Sequence, residues 1–584
     1  MKGFFKSLFA SILGCFIVIS IFFLIGFGVL AAMSFSSSGS FVLKDNAVLT
    51  LKLEGILTER VDNTNPLLET FGQKTKETGL DDILSSIKKA KENKKIKGIY
   101  IYSGTFSASP ATLKEIRDAL VDFKESDKFI VSYGDVYLQG GYYLSSVSDK
   151  VILNPQGMVD LHGLSASRTF YKGLFDKLGV EMQVFKVGTF KSAVEPFMLD
   201  KMSDANKEQL TSYINDVWDT LLSDISDSRN ISAGRLNLIV DSLPLLRKAE
   251  MSLDNNLVDT LMYETGVKGY IKNLIGIDEE ENYQSALVGN MTSVSFKDES
   301  KSEDIIAVLY AFGDISDGSG NKGIQSKRFV NELEKLKNNS KVKAVVFRVN
   351  SPGGSAYASE QIWKAVSDLR DEKPVVVSMG DYAASGGYYI SSPANKIIAQ
   401  PNTLTGSIGI FGMFPNIEGL TQKAGLTFDN VSTNRFSDFG DITRPMRDDE
   451  KEILQEYINS GYDLFLTRCS DGRNIPIDSL AKLSEGRVWT GNQALEIGLV
   501  DAVGGIDKAI EEAAKLAGLA DYSLRSFPRK TDFFENLLLY QKETFATQAL
   551  KEYLGEDYEI FETLKKIKEQ DYIQARLPYD FQIQ

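Results

Sequence analysis

The sequence contains two copies of one pattern, displaced by a constant 246 positions. This displacement aligns residues 140–143 (GGYY) with the identical residues 386–389, and residues 132–135 (SYGD) with 378–381 (SMGD). A single ungapped shift with this many matches predicts a tandem duplication. The length of 584 residues agrees, because single cores rarely exceed roughly 250–300 residues. Further identical pairs are Lys95 with Lys341, Lys150 with Lys396, Pro155 with Pro401, Gly173 with Gly419 and Gly179 with Gly425.

The duplication and the flanking composition predict how the chain is divided. A charged stretch at residues 297–304 (KDESKSED) is typical of a linker between the copies. The C-terminal tail shows a helical pattern, and its apolar face could pack on a neighbouring subunit or lie on a membrane surface. The predicted segments are a membrane anchor and tether (1–43), a first repeat (44–275), a linker (276–303), a second repeat (304–520) and a helical C-terminal extension (521–584).

Strand and helix patterns alternate within each copy. Short apolar runs at residues 305–311, 342–349 and 374–378 are typical of buried parallel strands. Residues 361–370 show the apolar spacing of a helix that packs on one face. This β-α-β-α-β order predicts an α/β fold with a largely parallel sheet.

The N-terminus predicts a membrane anchor. Lys2 and Lys6 precede an uncharged apolar run at residues 8–33, which as a helix would be about 39 Å long. A bilayer core is about 30 Å thick, and the apolar part of a cleaved signal peptide is usually only about 7–15 residues. The lysines favour a cytoplasmic N-terminus, which places the rest of the chain across the membrane. The alternative is a cleaved signal peptide, since Ala31 and Ala32 offer small residues.

The amino-acid composition limits the kinds of functional site and partner that the chain can have. The chain has two cysteines, Cys15 and Cys469, and one histidine, His162, so we expect neither a structural zinc site nor a disulfide. Its net charge is -14 and its basic residues are scattered, so we expect no nucleic-acid partner. A Ser-His-Asp triad would have to use His162, and a packing or turn role beside Gly163 is the preferred interpretation of that residue.

Two loops of the second copy follow predicted strands, where α/β folds place their sites. Gly353 and Gly354 lie in the first loop, and their backbone N–H groups suit an oxyanion hole. Ser385 lies in the second loop, at the predicted entry to a helix, followed by the N–H of Gly386. The sequence predicts Ser385 as a nucleophile with these glycines as oxyanion donors.

The two copies have lost complementary residues. Gln139 occupies the position of Ser385 in the first copy, whereas Lys191 of the first copy aligns with Ser437 of the second. This pattern predicts one site assembled from both halves, with Lys191 as the general base. A lysine base must be neutral near pH 7, which requires a pKa lowered by about 3 units, or about 4 kcal/mol, through burial. The apolar residues around Lys191 fit that requirement: Phe185, Val187, Phe190, Ala193 and Val194.

Five segments resemble the signal peptide peptidase A family, also called protease IV, in its long two-repeat form. Residues 188–197 (GTFKSAVEPF) resemble the segment with the lysine base of that family, and 381–391 (DYAASGGYYIS) the segment with its nucleophile. Residues 351–355 (SPGGS), 404–412 (LTGSIGIFG) and 574–581 (QARLPYDF) match further parts of the family pattern.

The resemblance implies a Clp-protease-like, or crotonase-like, fold in each repeat and a homotetramer shaped like a bowl. It implies a serine endopeptidase that degrades released signal peptides and other short hydrophobic peptides at the outer, periplasmic face of the bacterial inner membrane. Ser385 would be the nucleophile and Lys191 the base, with Ser407 orienting the lysine. Gly354 and Gly386 would donate to the oxyanion. The N-terminal helix would contact membrane lipid, and no metal or other cofactor is expected.

Two other classes of function stay open at this stage. One is an acyl-CoA-processing enzyme on the same fold, which would use glycine-loop N–H groups to bind an enolate oxygen. The other is a non-catalytic membrane scaffold built from two degenerate repeats. The retained serine and lysine argue against both.

Overall fold

A computed structural model describes residues 2–36, 41–61, 77–296, 302–320, 322–530 and 572–577. Over these ranges strands and helices alternate in two successive units, so the predicted α/β class is confirmed. Most of the predicted C-terminal helical extension, residues 531–571, lies outside the described residues.

The N-terminal helix α1 spans Lys2–Ser36. Its described side chains include exposed aromatic rings, such as those of Phe9, Phe16 and Phe22. Side chains 23–36 of this helix lie outside the described residues. Over the part of the chain that was described, no helix is both long and apolar enough to cross a membrane.

The first repeat is built on a seven-stranded sheet in which all strand pairs are parallel. The strands of this half are β1 (Ala47–Thr58), β2 (Glu77–Gly79), β3 (Ile96–Ser107), β4 (Phe129–Tyr137), β5 (Lys150–Val159), β6 (Glu181–Lys186), β7 (Thr260–Leu261) and β8 (Ser285–Leu287). The sheet order is β2-β1-β3-β4-β5-β7, and β8 also pairs with β1. Since β8 lies within the segment predicted as a linker, the first sheet extends beyond residue 275.

Helices cover the faces of this sheet because their apolar residues point to it. The helices of this half are α2 (Leu80–Glu92), α3 (Pro110–Lys124), α4 (Gln139–Ser145), α5 (Lys172–Leu178), α6 (Glu195–Met198), α7 (Asp204–Arg229), α8 (Ala233–Asp241), α9 (Ala249–Asp254), α10 (Glu264–Ile275) and α11 (Val288–Met291).

The second repeat has its own eight-stranded sheet, in the order β18-β16-β14-β12-β9-β20, in which β15 also pairs with β14 and β19 pairs with β15. The strands of this half are β9 (Ile305–Phe312), β10 (Ile315–Ser316), β11 (Ile324–Gln325), β12 (Val342–Ser351), β13 (Gly353–Ser355), β14 (Val375–Ala384), β15 (Lys396–Ala399), β16 (Leu404–Gly406), β17 (Phe411–Asn416), β18 (Val488–Trp489), β19 (Ala502–Val503), β20 (Ser523–Phe527) and β21 (Ile573–Arg576). Its helices are α12 (Ser326–Asn338), α13 (Ala356–Arg370), α14 (Gly386–Ser391), α15 (Glu418–Lys423), α16 (Asp448–Arg473), α17 (Ile477–Leu483), α18 (Gly491–Glu496) and α19 (Ile506–Ala517).

The equivalent elements of the two halves follow the repeat. β3 and β12, α3 and α13, and β4 and β14 each start 246 positions apart. The copies differ in two strands. The counterpart of β6 in the second half (427–432) is not a strand, and neither is the counterpart of β17 in the first half (165–170).

A third sheet joins the two halves. Its order is β11-β10-β13-β21-β17-β6, and β6 of the first repeat pairs antiparallel with β17 of the second from Lys186 opposite Phe411 to Glu181 opposite Asn416. This pairing directs the chain that follows β6 onto the second repeat. β6 has no strand counterpart in the second repeat, and β17 has none in the first. These two strands pair with each other here.

A buried charge cluster also connects the repeats. The guanidinium of Arg348, on β12, donates to Glu59 and Glu115 of the first repeat at 2.7–2.9 Å. Asn350 donates to both Glu59 and Asp381. Burial raises the pKa of Glu115 and of Asp381, and the nearby Glu59 adds to the effect at Asp381. We refer to Glu59, Glu115, Arg348, Asn350 and Asp381 as the seam cluster.

Candidate active site

Ser385 lies at the turn between β14 and α14. Its backbone has φ 54 and ψ -114, a conformation that costs energy for any residue with a Cβ. The backbone N–H of Ser385 donates to the carbonyl of Gly406 at 2.8 Å, and Tyr389 donates back to the carbonyl of Ser385 at 2.8 Å. These bonds hold the strained turn and fix the position of Oγ, which is fully buried.

Lys191 reaches this serine from the first repeat. Its Nζ lies 2.8 Å from Oγ of Ser385 and 3.1 Å from both the carbonyl oxygen and Oγ of Ser407. The side chain of Lys191 is fully buried, and burial lowers its pKa well below the usual range. The structure thus brings together the predicted serine, lysine and second serine.

The loop that carries Lys191 is seated on the second repeat. Phe190 donates its N–H to the carbonyl of Glu485 at 3.0 Å. Gly188 has φ +102, and a Cβ there would lie 2.4 Å from the carbonyl carbon of Glu485, so a larger residue would lift the loop. No local pattern predicts this contact, because Glu485 lies far from the loop along the chain.

Two of the predicted oxyanion glycines, Gly353 and Gly354, lie on β13, and the third, Gly386, begins α14 directly after the serine. Gly353 has φ +99, and a Cβ there would lie 2.7 Å from the backbone nitrogen of Gly386. A Cβ at Gly354 would lie 2.0 Å from the carbonyl oxygen of Ile315, so only glycine fits. The N–H of Gly353 donates to Oγ of Ser351 at 3.1 Å. Of the three predicted donors, Gly353 therefore has its N–H already bonded within its own loop.

The corresponding place in the first repeat is filled by Gln139. Its Oε1 accepts the N–H groups of His162 and Gly163 at 3.1 and 3.0 Å, and its Nε2 donates to the carbonyl of Gly163 at 3.1 Å. His162 pairs through Nδ1 with Asp160 at 2.6 Å. The single histidine is thus placed beside the degenerate counterpart of the site, in the first repeat.

An apolar cavity of about 700 Å³ adjoins the oxyanion loop. Its walls come from β17, α16, α14 and the start of α13, with Ile410, Phe414, Leu454 and Leu464 among the lining residues. Sequence reasoning missed this cavity, since its walls are scattered over more than a hundred positions. Across the described ranges, no group of three His, Cys, Asp or Glu side chains could hold a metal ion.

The chain is similar to known peptidase families. The chain matches the family described as Peptidase family S49 over residues 122–278 and 367–520, and the family described as Clp protease over residues 297–405. The two S49 segments fall in the two repeats.

Relatives extend the match to most of the chain. Protease 4 of Salmonella typhi is 38% identical, over 82% of this chain and 79% of that protein. Protease 4 of Haemophilus influenzae is 35% identical, over 93% and 92%. The chloroplastic serine protease SPPA of Arabidopsis thaliana is 29% identical, over 82% and 70%.

Fold and relatives together define a serine-type endopeptidase with tandem domains of Clp-protease-like fold. The chain belongs to peptidase family S49, so the predicted kinship with the signal peptide peptidase A family is confirmed. Membership of a peptidase family does not support the acyl-CoA enzyme or the non-catalytic scaffold.

Proposed function

We propose that this endopeptidase uses Ser385 and Lys191 as a catalytic dyad to degrade released signal peptides and other short hydrophobic peptides. The observation that carries the proposal is the 2.8 Å approach of Nζ of Lys191 to Oγ of Ser385 in a buried site. Burial lowers the pKa of Lys191 and so favours the neutral amine, which is the form that can accept a proton.

The reaction is an acyl transfer in two halves. Neutral Lys191 takes the proton of Ser385 as Oγ attacks the peptide carbonyl carbon, and the N–H groups of Gly354 and Gly386 bind the resulting oxyanion. Lys191 then gives its proton to the leaving amine as the C–N bond breaks, leaving an ester on Ser385. Water attacks that ester with Lys191 again as base, and the serine and the product acid are released. Ser407 holds Nζ in line with Oγ throughout.

The cavity beside the oxyanion loop supports a preference for hydrophobic peptides. Burying one apolar side chain there would contribute about 1.5–3 kcal/mol to binding. Glu360 is one of the polar residues of its wall and is already paired with Arg468 at 2.7 Å and with Tyr389 at 2.6 Å. Charged substrate side chains would have to compete with that pairing.

We also propose that α1 anchors the chain in the bacterial inner membrane, with the repeats on the outer side. The uncharged apolar run at residues 8–33 and the preceding Lys2 and Lys6 support this topology.

Assembly into a homotetramer is part of the same proposal. The second-repeat loop that corresponds to the Lys191 loop is solvent-exposed rather than docked, with Val431 97% exposed. Exposed apolar residues in one loop mark an interaction surface. The others in this loop are Leu426, Phe428, Phe436, Phe439 and Ile442.

A fluorophosphonate probe, which forms a covalent bond with activated serines, tests the proposed nucleophile. We expect the wild-type chain to be labelled and folded Ser385→Ala to show no labelling. Ser391→Ala is the matched control, since Ser391 is also buried, lies on the adjoining helix and donates its hydroxyl to the carbonyl of Gly387 at 2.7 Å. Labelling of Ser385→Ala at the wild-type rate would exclude Ser385 as the nucleophile.

The lowered pKa of Lys191 predicts the pH dependence of hydrolysis. Protonated Lys191 cannot act as a base, so kcat/KM should fall about tenfold per pH unit below the lowered pKa and level off above it. A pH series on a chromogenic peptide, with circular dichroism to follow folding, measures this. A rate that rises on acidification while the chain stays folded would contradict a neutral lysine base.

A further inference from the structure

A glutamine of the first repeat, Gln209, lies beside the segment that carries Lys191. It is on α7, and its side chain is buried. Its Nε2 donates to the carbonyl of Phe190 at 3.1 Å and to Oγ of Ser192 at 3.0 Å. These are the residues on either side of Lys191. One amide group is therefore bonded to the backbone just before the lysine and to the side chain just after it.

The same amide reaches the second repeat. Oε1 of Gln209 accepts the N–H of Val488 at 3.2 Å. Val488 lies on β18, which pairs antiparallel with β16, and there it faces Gly406. The carbonyl of Gly406 accepts the N–H of Ser385 at 2.8 Å. Gln209 is thus bonded to the strand pair β16–β18, which also holds the backbone of the nucleophile.

The partner of the lysine amine is held by the same strand pair. Ser407 directly follows β16 and donates its N–H to the carbonyl of Arg487 at 2.7 Å. The carbonyl oxygen and Oγ of Ser407 each lie 3.1 Å from Nζ of Lys191. A movement of Gln209 away from β18 would therefore move the lysine relative to both of the groups that its amine contacts.

The far end of the lysine segment is fixed to the same helix. The carboxylate of Glu195 is buried, and it accepts the hydroxyl of Ser203 at 2.6 Å and Nδ2 of Asn206 at 2.7 Å. Ser203 is the N-cap of α7, and Asn206 lies in its first turn. Residues 190–195 are therefore bonded to the start of α7 at both ends, and of these bonds only that of Gln209 continues to β18.

The second copy of the pattern has no amide at the equivalent place. α7 and α16 are each 26 residues long, and Gln209 is the sixth residue of α7. The sixth residue of α16 is Ile453, which is exposed. The glutamine thus occurs in the copy that supplies the lysine, which is the distribution expected of a residue that serves this lysine.

We propose that Gln209 is a positioning residue for the general base, and that it fixes the backbone around Lys191 to the strand pair that holds Ser385. This inference rests on the proposed function, because it takes Lys191 as the base. A base must lie within hydrogen-bond reach of the proton that it accepts. A displacement of about 1 Å can lower the rate by roughly 10²-fold, so the bonds of one buried amide can matter for turnover.

Replacing Gln209 with methionine tests the proposal. Methionine is similar in length, but it neither donates to Phe190 nor accepts from Val488. We expect kcat to fall roughly 10²-fold and KM to change less than about twofold, because Gln209 does not line the cavity beside the oxyanion loop. Circular dichroism shows whether the chain is folded, and in a folded chain an unfolded fraction cannot explain a fall of this size. Unchanged kcat in folded Gln209→Met would overturn the inference.

The control makes the same chemical change on α16. The amide of Gln455 donates to Asn459 on its own helix at 2.9 Å. Gln455→Met should therefore leave kcat and KM at their wild-type values. A fall in kcat equal to that of Gln209→Met would show that the loss of any helix-surface amide has this effect, which would refute a specific role for Gln209.

Gln209→Asn provides a second variant in case methionine harms folding. Asparagine keeps an amide, but its side chain is one methylene shorter and cannot span from Phe190 to Val488. We expect kcat to fall and KM to stay near the wild-type value, as in Gln209→Met. Wild-type kcat in folded Gln209→Asn would contradict the positioning role.

A double-mutant cycle with Lys191 separates this inference from the proposed function. If Gln209 acts through the lysine, Gln209→Met should lower the residual rate of Lys191→Met by less than about twofold. An equal fall in the wild-type and Lys191→Met backgrounds would overturn the inference while leaving the dyad in place. Full activity of Lys191→Met alone would instead refute the proposed base.

Discussion

Replacing Lys191 with methionine should lower kcat/KM by roughly 10²–10⁴-fold, the usual contribution of a positioned general base, and leave a folded chain. Methionine keeps most of the length and apolar character of the lysine stem but has no group that accepts a proton. Nζ of Lys191 contacts Ser385 and Ser407, so the substitution removes the proton acceptor without opening a large cavity. Peptide hydrolysis and probe labelling, with circular dichroism to confirm the fold, measure the effect.

The same variant should be more stable than the wild type at neutral pH. The unfolded chain holds a proton on Lys191 at pH 7, whereas the folded site favours the neutral amine because burial lowers its pKa. Unfolding then takes up a proton, so the free energy of unfolding of the wild type rises from the lowered pKa of Lys191 up to the ordinary value of 10.5. Lys191→Met lacks this term, and its melting temperature should exceed that of the wild type by more at pH 7 than at pH 10.

Two further variants test whether the effects are specific to Lys191. Lys451→Met changes an exposed lysine and should alter neither activity nor the melting temperature. His162→Ala tests the rival base and should retain activity, since His162 is paired with Asp160 in the first repeat. Full activity of Lys191→Met, or loss of activity in folded His162→Ala, would contradict the assignment of the base.

The repeat made much of the fold predictable. Runs such as 342–349 and 374–378 are local patterns, and the structure places strands β12 (Val342–Ser351) and β14 (Val375–Ala384) there. The serine missing from one copy and the lysine missing from the other predicted that the two would meet. The side-chain atoms of Ser385 and Lys191 do lie within hydrogen-bond distance.

Contacts between residues that are far apart along the chain could not be predicted from the sequence. Nothing near Arg348 along the chain indicates that two carboxylates of the other repeat, Glu59 and Glu115, would meet its guanidinium. The short strand β21 was likewise hidden, because its residues have neither the length nor the alternation of an independent strand. Its partners β13 and β17 exist as neighbours only once the whole third sheet has formed.

Replacing Arg348 with methionine should destabilise the chain by about 3–5 kcal/mol, the usual cost of removing one partner from a buried ion pair. Arg348, Glu59 and Glu115 are each at most about 5% exposed, and the guanidinium is bonded to both carboxylates. Without the cation, two buried carboxylates would face each other across the seam, with Asp381 as a third nearby. Urea unfolding of the variant and the wild type measures the difference.

Two comparison variants distinguish the effect of the unpaired charges on stability from the effect of the lost side-chain packing. Arg348→Met combined with Glu59→Gln and Glu115→Gln removes the unpaired charges, so it should recover most of the lost stability. Lys451→Ala breaks an exposed pair with Asp448 and should cost less than about 1 kcal/mol. A loss below about 1 kcal/mol for Arg348→Met alone would mean that the seam cluster does not hold the repeats together.

Arg348→Met should lower activity by more than the fraction of unfolded chains alone would explain. The two groups of the dyad come from different repeats, so a small movement at the seam changes the 2.8 Å separation of Nζ and Oγ directly. Below the unfolding transition, kcat of Arg348→Met should therefore fall while KM changes little, and the triple variant should recover part of kcat along with stability. If kcat stays at the wild-type value in folded Arg348→Met, the seam cluster stabilises the fold without positioning Lys191 against Ser385.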